Sequence, residues 1–532
     1  MKKNIAIIIK ANQDFVRHTE ADVKKSKPIL NTFFESISKV YIPLLEMLGK
    51  FEREGLQVKI GLVLPPILCN LLSDDSVKDL YLGWLEEKNS LGIAELDRNK
   101  DNEKITSIVK AEIERNSELK NLFTNVFSRD LVKSFADFAK KGFVELLGTS
   151  GTDIFFPHYA DMREIISAQV ESGLHSYRQF FGNIPEGFWL PDFGYTPGVE
   201  KLIKAYGFSY TIADARSLLL SEKLPEKGIF YPVRTENSLA LFANDPDCYD
   251  DVFDSEEGFV NQSAYRNEKR DIGFELPIEK LSPLMDQNEV RFETGFKYWN
   301  RNFVKGDDNL NYYSVSEAGE QAEKDAASFV QKREDLLSSA AASIPDSDFV
   351  SLVCCFNSDD LRSWNESLIW LEKVLRKFSA SEVRLAFCKE LLEKQYELEK
   401  ISPYFSAGNG TGYGENLLSN RNSWMMRYIR KACERIVDLS DRFPNDTGLK
   451  TRLLNLGAKE LMLAQSLNLA KMIENEDNAD FAIKRFKDSI EAFTIVFDSL
   501  GSNTVSTEWL TTLELKDSFF PWMNYRIFSK KK

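Results

Sequence analysis

The residues best suited to catalysis lie in one short segment, Trp189-Leu190-Pro191-Asp192-Phe193-Gly194-Tyr195. The apolar run before it stops at Pro191, so it reads as a strand that ends in a Gly/Pro turn. Asp192 would then project from the carboxyl end of a strand, which is where parallel barrel enzymes carry their catalytic groups. Asp192 is therefore the first candidate for a catalytic carboxylate.

Apolar, β-rich runs recur along the chain at long intervals, with helical stretches between them. Seven such runs are present: Ile5 to Ile9, Val58 to Leu64, Val144 to Leu147, Phe188 to Leu190, Tyr210 to Ala213, Leu239 to Phe242 and Phe349 to Cys355. Strands that alternate with helices indicate parallel βα units, and a closed ring of such units is a barrel. The pattern predicts an α/β fold, an incomplete (β/α)7 barrel that is short of the usual eight strands.

Helical periodicity dominates the rest of the sequence. Apolar residues between Leu30 and Glu54 fall on one broad stripe, which predicts a helix packed on the barrel. From Trp424 onward the pattern is helical, so we predict a barrel with helical insertions over residues 1–405 and an all-helical C-terminal domain over residues 415–532. The glycine-rich stretch from Gly408 to Gly414 lacks the sequence context of a phosphate loop and predicts a mobile loop beside the barrel mouth.

The amino-acid composition argues against two classes of binding partner. The formal charge is −14, from 68 basic and 82 acidic residues, and an acidic surface of this kind argues against nucleic acid or an anionic membrane as a partner. No run of about 18 apolar residues could span a bilayer. The six cysteines are scattered without CxxC spacing, which predicts buried thiols of a cytoplasmic protein with no metal site and no cofactor.

Several motifs resemble glycoside hydrolase family 57, especially its α-glucan branching enzymes and AmyC-type amylases. The segment from Trp189 to Gly198 is similar to the family's nucleophile segment, Trp-Leu-Pro-Glu-Cys-x-Tyr-x-Pro-Gly, with aspartate in place of glutamate. The stretches Tyr41 to Glu46, Phe292 to Tyr298 and Arg270 to Gly273 resemble further family elements. The similarity extends over nearly the whole chain, so it implies the family's barrel followed by its helical domain.

The resemblance implies a retaining glycosidase site with two carboxyl groups about 5 to 5.5 Å apart. Asp192 occupies the nucleophile position, and Asn357 occupies the acid/base position, where the family has aspartate. An amide cannot donate a proton to a leaving oxygen near neutral pH. Asp359 or Asp360 could replace the acid/base only if the loop register shifts.

The resemblance also implies sugar contacts, and most of those positions have changed. The candidate substrate-binding residues are Lys10, Asn12, Glu145, Asp153, Trp189, Tyr195, Asp245 and Trp299. Lys10 and Asn12 stand where the family has histidines, and Asp153 replaces a third. The whole chain has three histidines, His18, His158 and His175, which we interpret as surface or structural residues.

These substitutions favour a family 57 homologue that has lost most or all glycosyl transfer and still binds α-glucan or an oligosaccharide. An active 1,4-α-glucan branching enzyme or α-amylase, with Asp192 as the nucleophile and a displaced acid/base, is the alternative. A scaffold with no affinity for sugar is a third hypothesis. Assays of catalysis separate the second hypothesis from the others, and glucan affinity separates the first from the third.

Overall fold

All seven predicted strands form, and two short strands are added to them. The computed structural model describes residues 1–16, 20–281, 291–304, 311–344, 347–408, 411–502, 504 and 506–530. His18 lies outside the described residues. The strands are β1 Lys2–Lys10, β2 Ile60–Val63, β3 Val144–Leu147, β4 Gly187–Trp189, β5 Tyr210–Ala213, β6 Val233–Arg234, β7 Ala240–Ala243, β8 Phe349–Asn357 and β9 Val383–Leu385.

The strands close into a barrel from two hydrogen-bonded sheets. One sheet has the order β3-β2-β1-β8 and the other β4-β5-β7-β6. A parallel bridge between Gly148 and Phe188 joins β3 to β4, and a second between Asn244 and Val353 joins β7 to β8. The ring β1-β2-β3-β4-β5-β7-β8 is parallel throughout, while β6 pairs antiparallel with β7 and β9 lies beside β1 outside the ring. The predicted (β/α)7 barrel is therefore confirmed.

Side chains of the ring strands alternate between two hydrophobic layers. Ala6 and Ile8 belong to a cluster to which every ring strand contributes one or two residues, and this cluster fills the barrel interior. Ile5, Ile7 and Ile9 belong to the larger cluster formed with the surrounding helices. Because both faces of each strand are buried, the strands appear in the sequence as continuous apolar runs.

Helices surround the barrel and form most of its insertions. They are α1 Glu20–Ser36, α2 Ile42–Glu54, α3 Pro66–Ser73, α4 Asp75–Arg98, α5 Glu103–Asn121, α6 Leu131–Lys140, α7 Arg163–Phe181, α8 Val199–Ala205, α9 Arg216–Leu219, α10 Asp247–Phe253, α11 Ile272–Glu275, α12 Ile278–Leu281, α13 Val315–Ser343, α14 Ser358–Arg362 and α15 Ser367–Ser379. The predicted helix from Leu30 to Glu54 corresponds to α1 and α2, joined by a π-helical turn at Ile37–Tyr41. The Tyr41 hydroxyl donates to the Asn12 carbonyl at 3.1 Å, so this turn supports the loop after β1.

The C-terminal region is helical, as predicted. It contains α16 Trp424–Arg442, α17 Leu449–Ala464, α18 Leu467–Glu474, α19 Ala479–Ser502 and α20 Thr507–Lys516. It packs on the barrel mouth, where the Leu467 N–H donates to the Asp153 carbonyl at 3.1 Å. The domain boundary near residues 405–415 stays a prediction. None of the helices within the described ranges is long and apolar enough to cross a membrane.

Candidate active site

A cavity of about 350 Å³ opens where the carboxyl ends of β1, β4 and β8 meet the C-terminal helices. The loop after each strand contributes to its lining, and so does the stretch from Leu467 to Asn478. The structure therefore brings together seven of the residues proposed from the sequence: Lys10, Asn12, Trp189, Asp192, Asn357, Asp359 and Asp360. Gly408 of the glycine-rich stretch also lines the cavity.

Asp192 faces the cavity from a strained turn. It has a left-handed backbone, with φ 53° and ψ 30°, inside the 3₁₀ turn Pro191–Phe193. That conformation costs roughly 1–2 kcal/mol for a residue with a Cβ, although aspartate tolerates it better than most residues. The Gly408 N–H donates to the Asp192 carbonyl at 2.6 Å and holds the turn in place.

The Asp192 carboxylate is engaged by a cation from the C-terminal region. Lys471 Nζ in α18 donates to Asp192 Oδ1 at 2.6 Å, and the side chains are 33% and 12% exposed. Burial alone would lower the pKa of Lys471, but the neighbouring Asp192 outweighs it and the pKa is raised. Lys471 therefore stays charged near neutral pH, and its ammonium forms an ion pair with the candidate nucleophile.

Asn357 ends β8, and Asp360 follows it within one helical turn. The Asn357 amide donates from Nδ2 to Asp360 Oδ2 at 3.3 Å. Burial, with Asp359 close by, raises the pKa of Asp360 to about 6. Asp359 accepts a hydrogen bond from Asn12 Nδ2 at 2.8 Å. The loop after β8 thus presents an amide at the proposed acid/base position and two carboxyl groups beside it.

A buried ion pair lies beneath the cavity, at positions where the resemblance to family 57 implies histidines. Lys10 Nζ donates to Asp153 Oδ2 at 2.5 Å, and the two side chains are 10% and 7% exposed. Lys10 also donates to Asn12 Oδ1 at 3.2 Å, and Asn468 Nδ2 donates to the same oxygen at 2.8 Å. Asp153 is absent from the cavity lining. It contacts two lining residues, Lys10 through its carboxylate and Leu467 through its carbonyl.

Four proposed substrate-binding residues lie away from the cavity lining, each with a partner of its own. Glu145 accepts from the Tyr210 hydroxyl at 2.8 Å inside the barrel, where burial raises its pKa to about 7. The Tyr195 hydroxyl donates to Glu200 at 3.1 Å. Trp299 stacks on Phe303 with ring centroids 4.0 Å apart. Asp245 pairs with Arg333 at 3.0 Å. These contacts indicate structural roles.

Comparison with known proteins decides the family. The sequence profile described as glycosyl hydrolase family 57 matches residues 6–333. The chain belongs to glycosyl hydrolase family 57. The profile described as 1,4-alpha-glucan branching enzyme, C-terminal, matches residues 428–528 of this family 57 protein.

Relatives of the family 57 protein share its fold over its full length. It is similar to the crystal structure of the alpha-amylase AmyC from Thermotoga maritima, with a TM-score of 0.91, 25% identity and 100% coverage of both chains. It is also similar to the branching enzyme from Pyrococcus horikoshii, with a TM-score of 0.87, 19% identity and coverage of 100% and 98%. The 1,4-alpha-glucan branching enzyme TK1436 of Thermococcus kodakarensis is 23% identical over 488 residues, which are 85% of this chain and 67% of the relative.

Two residues of the cavity were not predicted from the sequence. Asp14 and Lys471 both line the cavity. Asp14 could have been noticed, because it follows the end of β1 by only a few residues. No local pattern marks Lys471, because it meets Asp192 across 279 positions of the chain.

One group of potential metal ligands occurs among the described residues, away from the cavity. Ligand atoms of Asp245, Cys248 and Cys354 all lie within 4.8 Å of one another. The Arg333 guanidinium already neutralises Asp245, and burial raises the pKa of the Cys354 thiol well above its ordinary value. A protonated thiol beside a cation is a poor ligand set, so the group does not fit a metal ion.

Asp14 makes the stability of this protein sensitive to pH. Burial, followed by the nearby Asp359, raises its pKa from 3.8 to about 7. Between about pH 4 and pH 7 the folded state therefore binds more protons at Asp14 than the unfolded state, so its contribution to stability falls as pH rises. Asp14→Asn should become more stabilising between pH 5 and pH 8, by about 1–3 kcal/mol in the free energy of unfolding. Chemical denaturation at both pH values measures this change.

Asp477→Asn provides the control for that measurement, because Asp477 is an exposed carboxylate at the rim of the same cavity. Its effect on stability should differ little between the two pH values. If Asp14→Asn shows no greater dependence on pH than the control, the interpretation of Asp14 as a buried, uncompensated acid is wrong.

Proposed function

We propose that this family 57 protein binds α-glucan-type carbohydrate in the cavity and has lost most or all glycosyl transfer. Two observations carry the proposal: Lys471 pairs with Asp192 at 2.6 Å, and the end of β8 presents the amide of Asn357. Retaining catalysis needs two carboxyl groups. The one at the nucleophile position, Asp192, is neutralised by Lys471, and the one at the acid/base position is replaced by the Asn357 amide.

Each change removes a different part of the chemistry. A retaining glycosidase needs one free carboxylate to attack the anomeric carbon and a second carboxyl group to protonate the leaving oxygen. The Lys471 ammonium stabilises the Asp192 carboxylate before it attacks, and this raises the activation barrier for the attack on the anomeric carbon. General acid catalysis contributes roughly 10²- to 10⁴-fold in rate, and the Asn357 amide has no acidic proton to supply it.

The cavity keeps features that suit a sugar. Its volume of about 350 Å³ is in the range of small-ligand sites. The partly exposed Phe193 ring packs on the buried Trp189 ring, with centroids 4.9 Å apart, and can contact the apolar face of a sugar ring. The indole N–H of Trp189 has no partner among the described residues, and the amides of Asn12 and Asn468 can contact hydroxyls. These features suit carbohydrate binding even if the protein does not catalyse glycosyl transfer.

An active retaining α-glucan branching enzyme or hydrolase is the second candidate. It is favoured by Asp360, whose carboxyl lines the cavity and has a pKa of about 6 because of burial. Such a group could donate and accept a proton near neutral pH, with Asp192 as the nucleophile. This second candidate requires the ion pair between Lys471 and Asp192 to break when substrate binds.

Incubation with amylose or maltooligosaccharides should leave chain length and branching unchanged relative to buffer, as measured by chromatography and debranching. Calorimetry should nevertheless detect binding of a maltooligosaccharide, and Trp189→Phe should weaken it about fivefold to tenfold because one hydrogen-bond donor is lost. Trp299→Phe is the matched control, since Trp299 lies outside the cavity lining, and it should leave the affinity unchanged.

Two outcomes would contradict the proposal. New α-1,6 linkages or shortened chains that disappear in both Asp192→Asn and Asp360→Asn would establish the second candidate. Absence of affinity for every saccharide would favour a scaffold with no sugar site.

We also propose a cytoplasmic location, and the six free, buried cysteines support it because such thiols suit a reducing compartment.

A further inference from the structure

A pair of aromatic rings lies on the surface beside the mouth of the cavity. The rings of Phe405 and Tyr413 are nearly parallel, with an angle of 8° between their planes and centroids 5.9 Å apart. Rings at that separation are offset, so part of each face stays uncovered by the other ring. Phe405 is half-buried and Tyr413 is 55% exposed. The pair therefore presents apolar aromatic surface to a ligand.

The backbone that carries the two rings is held in place on the barrel. Ser406 and Tyr195 exchange two backbone hydrogen bonds, at 2.9 and 3.2 Å. The Ala407 N–H donates to the Gly412 carbonyl at 2.8 Å, which brings the two ends of the segment together. Ala407 and Leu417 are buried in a small hydrophobic cluster. A surface positioned in this way loses little conformational entropy when it binds a ligand.

The ring pair lies close to the cavity. Gly408 lines the cavity and follows Ala407 in the chain. Tyr413 follows Gly412, whose carbonyl accepts from Ala407. The Cα atoms of Gly408 and Tyr413 therefore lie within roughly 15 Å of each other, because two chain steps of about 3.8 Å and one hydrogen bond connect them. Gly408 has no side chain, and a Cβ at this position would lie 3.0 Å from the Phe193 ring. A chain-like ligand in the cavity can thus reach the ring pair across Gly408.

The surroundings of the rings favour an uncharged ligand. Arg216, which lies against Gly412, pairs with Asp214 at 2.7 Å. Glu415 accepts from the backbone N–H and the hydroxyl of Thr411, at 2.8 and 2.9 Å. These described residues thus leave no unpaired cation that would attract nucleic acid or an anionic membrane.

The size of the ring pair fits a sugar better than a protein partner. An aromatic side chain buries about 150–250 Å² on contact. Two rings therefore offer less than the roughly 800 Å² that each partner contributes to a stable protein–protein interface. A glucose unit is smaller, and the face that carries its C–H groups is apolar enough to stack on an aromatic ring.

We propose that Phe405 and Tyr413 form an outer binding surface for the α-glucan chain whose other part lies in the cavity. Glucose units beyond Gly408 stack on the two rings, while those within the cavity contact Phe193 and the polar groups around it. This inference rests on the proposed function, because it assumes that the cavity binds α-glucan. A chain long enough to reach both places should therefore bind more tightly than a short one.

Calorimetric titration of the full chain with maltotriose and maltoheptaose measures this preference for length. A longer chain also gains from the larger number of positions in which it can enter the cavity, so the preference is compared between variants. Tyr413→Ala should reduce the ratio of the two affinities about threefold to tenfold and leave the affinity for maltotriose unchanged, because only the stacking beyond the cavity is lost. Phe405→Ala should act in the same direction. Tyr413→Phe keeps the ring and should retain the ratio within about twofold.

Tyr396→Ala is the matched control, because Tyr396 is 71% exposed at the opposite end of the barrel. The nearby Lys394 pairs with Asp348, which directly precedes β8 and so lies at the amino end of that strand. Removing this tyrosine should leave both affinities unchanged. Thermal unfolding of each variant verifies that it is folded.

The outcomes separate this inference from the proposed function. Equal affinities for maltotriose and maltoheptaose would overturn the outer surface and leave the proposed function intact. A ratio that stays unchanged in both Tyr413→Ala and Phe405→Ala would also overturn it, since the chain would then lie elsewhere. Absence of binding for both saccharides would overturn the inference and the proposed binding of α-glucan together.

Discussion

A triple variant with Asp192→Glu, Asn357→Asp and Lys471→Met should hydrolyse an activated maltoside at least about 100-fold faster than the parent protein. Asn357→Asp supplies an ionisable proton donor, and the neighbouring Asp359 and Asp360 favour its protonated form through repulsion between like charges. Asp192→Glu extends the carboxylate towards the anomeric carbon. Lys471→Met removes the ammonium that pairs with Asp192 at 2.6 Å. Release of the chromogenic leaving group measures the rate.

The three single variants are the controls, and each should remain close to the parent, because one carboxyl group without its partner gives either attack without protonation or protonation without attack. Lys10 is left unchanged in the design, since its removal would leave Asp153 buried and unpaired. Equal activity in the parent protein would refute the proposed loss of catalysis. No activity in any variant would show that the cavity has diverged beyond these three positions.

Replacement of Arg333 by methionine should reduce the free energy of unfolding by about 3–5 kcal/mol. The Arg333 side chain is 0% exposed, and it pairs with Asp245, which is 2% exposed, at 3.0 Å. It also pairs with Asp251 and lies 4.0 Å from the centroid of the Phe329 ring. Removing the guanidinium leaves the Asp245 carboxylate buried without a cation. Denaturant unfolding followed by tryptophan fluorescence measures the loss.

Arg442→Met is the control, because Arg442 forms an exposed ion pair with Asp438, and it should cost at most about 1 kcal/mol. Adding Asp245→Asn to Arg333→Met should recover part of the stability, since the unpaired charge is then removed. Asp245→Asn alone should leave maltooligosaccharide affinity unchanged. A loss of affinity without a loss of stability would instead place Asp245 in sugar binding, as the sequence suggested.

The barrel could be predicted from the sequence because its ring strands are buried on both faces and give continuous apolar runs. Strand β6 could not, since Val233–Arg234 has only two residues, and strand β9 could not, because the exposed Arg384 interrupts its apolar run. The helix predicted at Leu30 was also incomplete, because α1 begins at Glu20 and the π turn interrupts the register. The periodicity of apolar residues therefore predicts that a helix or strand is present better than it predicts the residues at which that element begins and ends.

The candidate site could be predicted only in part. The positions after β1, β4 and β8 follow from the rule that parallel strands present their carboxyl ends on one side. Glu145 and Tyr195 were expected at the ligand, yet their partners Tyr210 and Glu200 hold them outside the cavity lining. Lys471 depends on how the C-terminal helices dock on the barrel. Such docking depends on contacts between segments that are far apart in the sequence, so the residues around Lys471 show no pattern that predicts it.

The cavity is assembled from both ends of the chain, since its lining begins at Lys10 and ends at Asn478. During synthesis the ribosome releases the loop after β1 first and the helix that carries Lys471 only near the end, tens of seconds later at typical elongation rates. A nascent barrel therefore exposes Asp192 without its ammonium partner until α18 emerges. The ion pair at Asp192 thus forms only after α18 has been synthesised, and a product truncated before Lys471 would keep the Asp192 carboxylate without its ammonium partner.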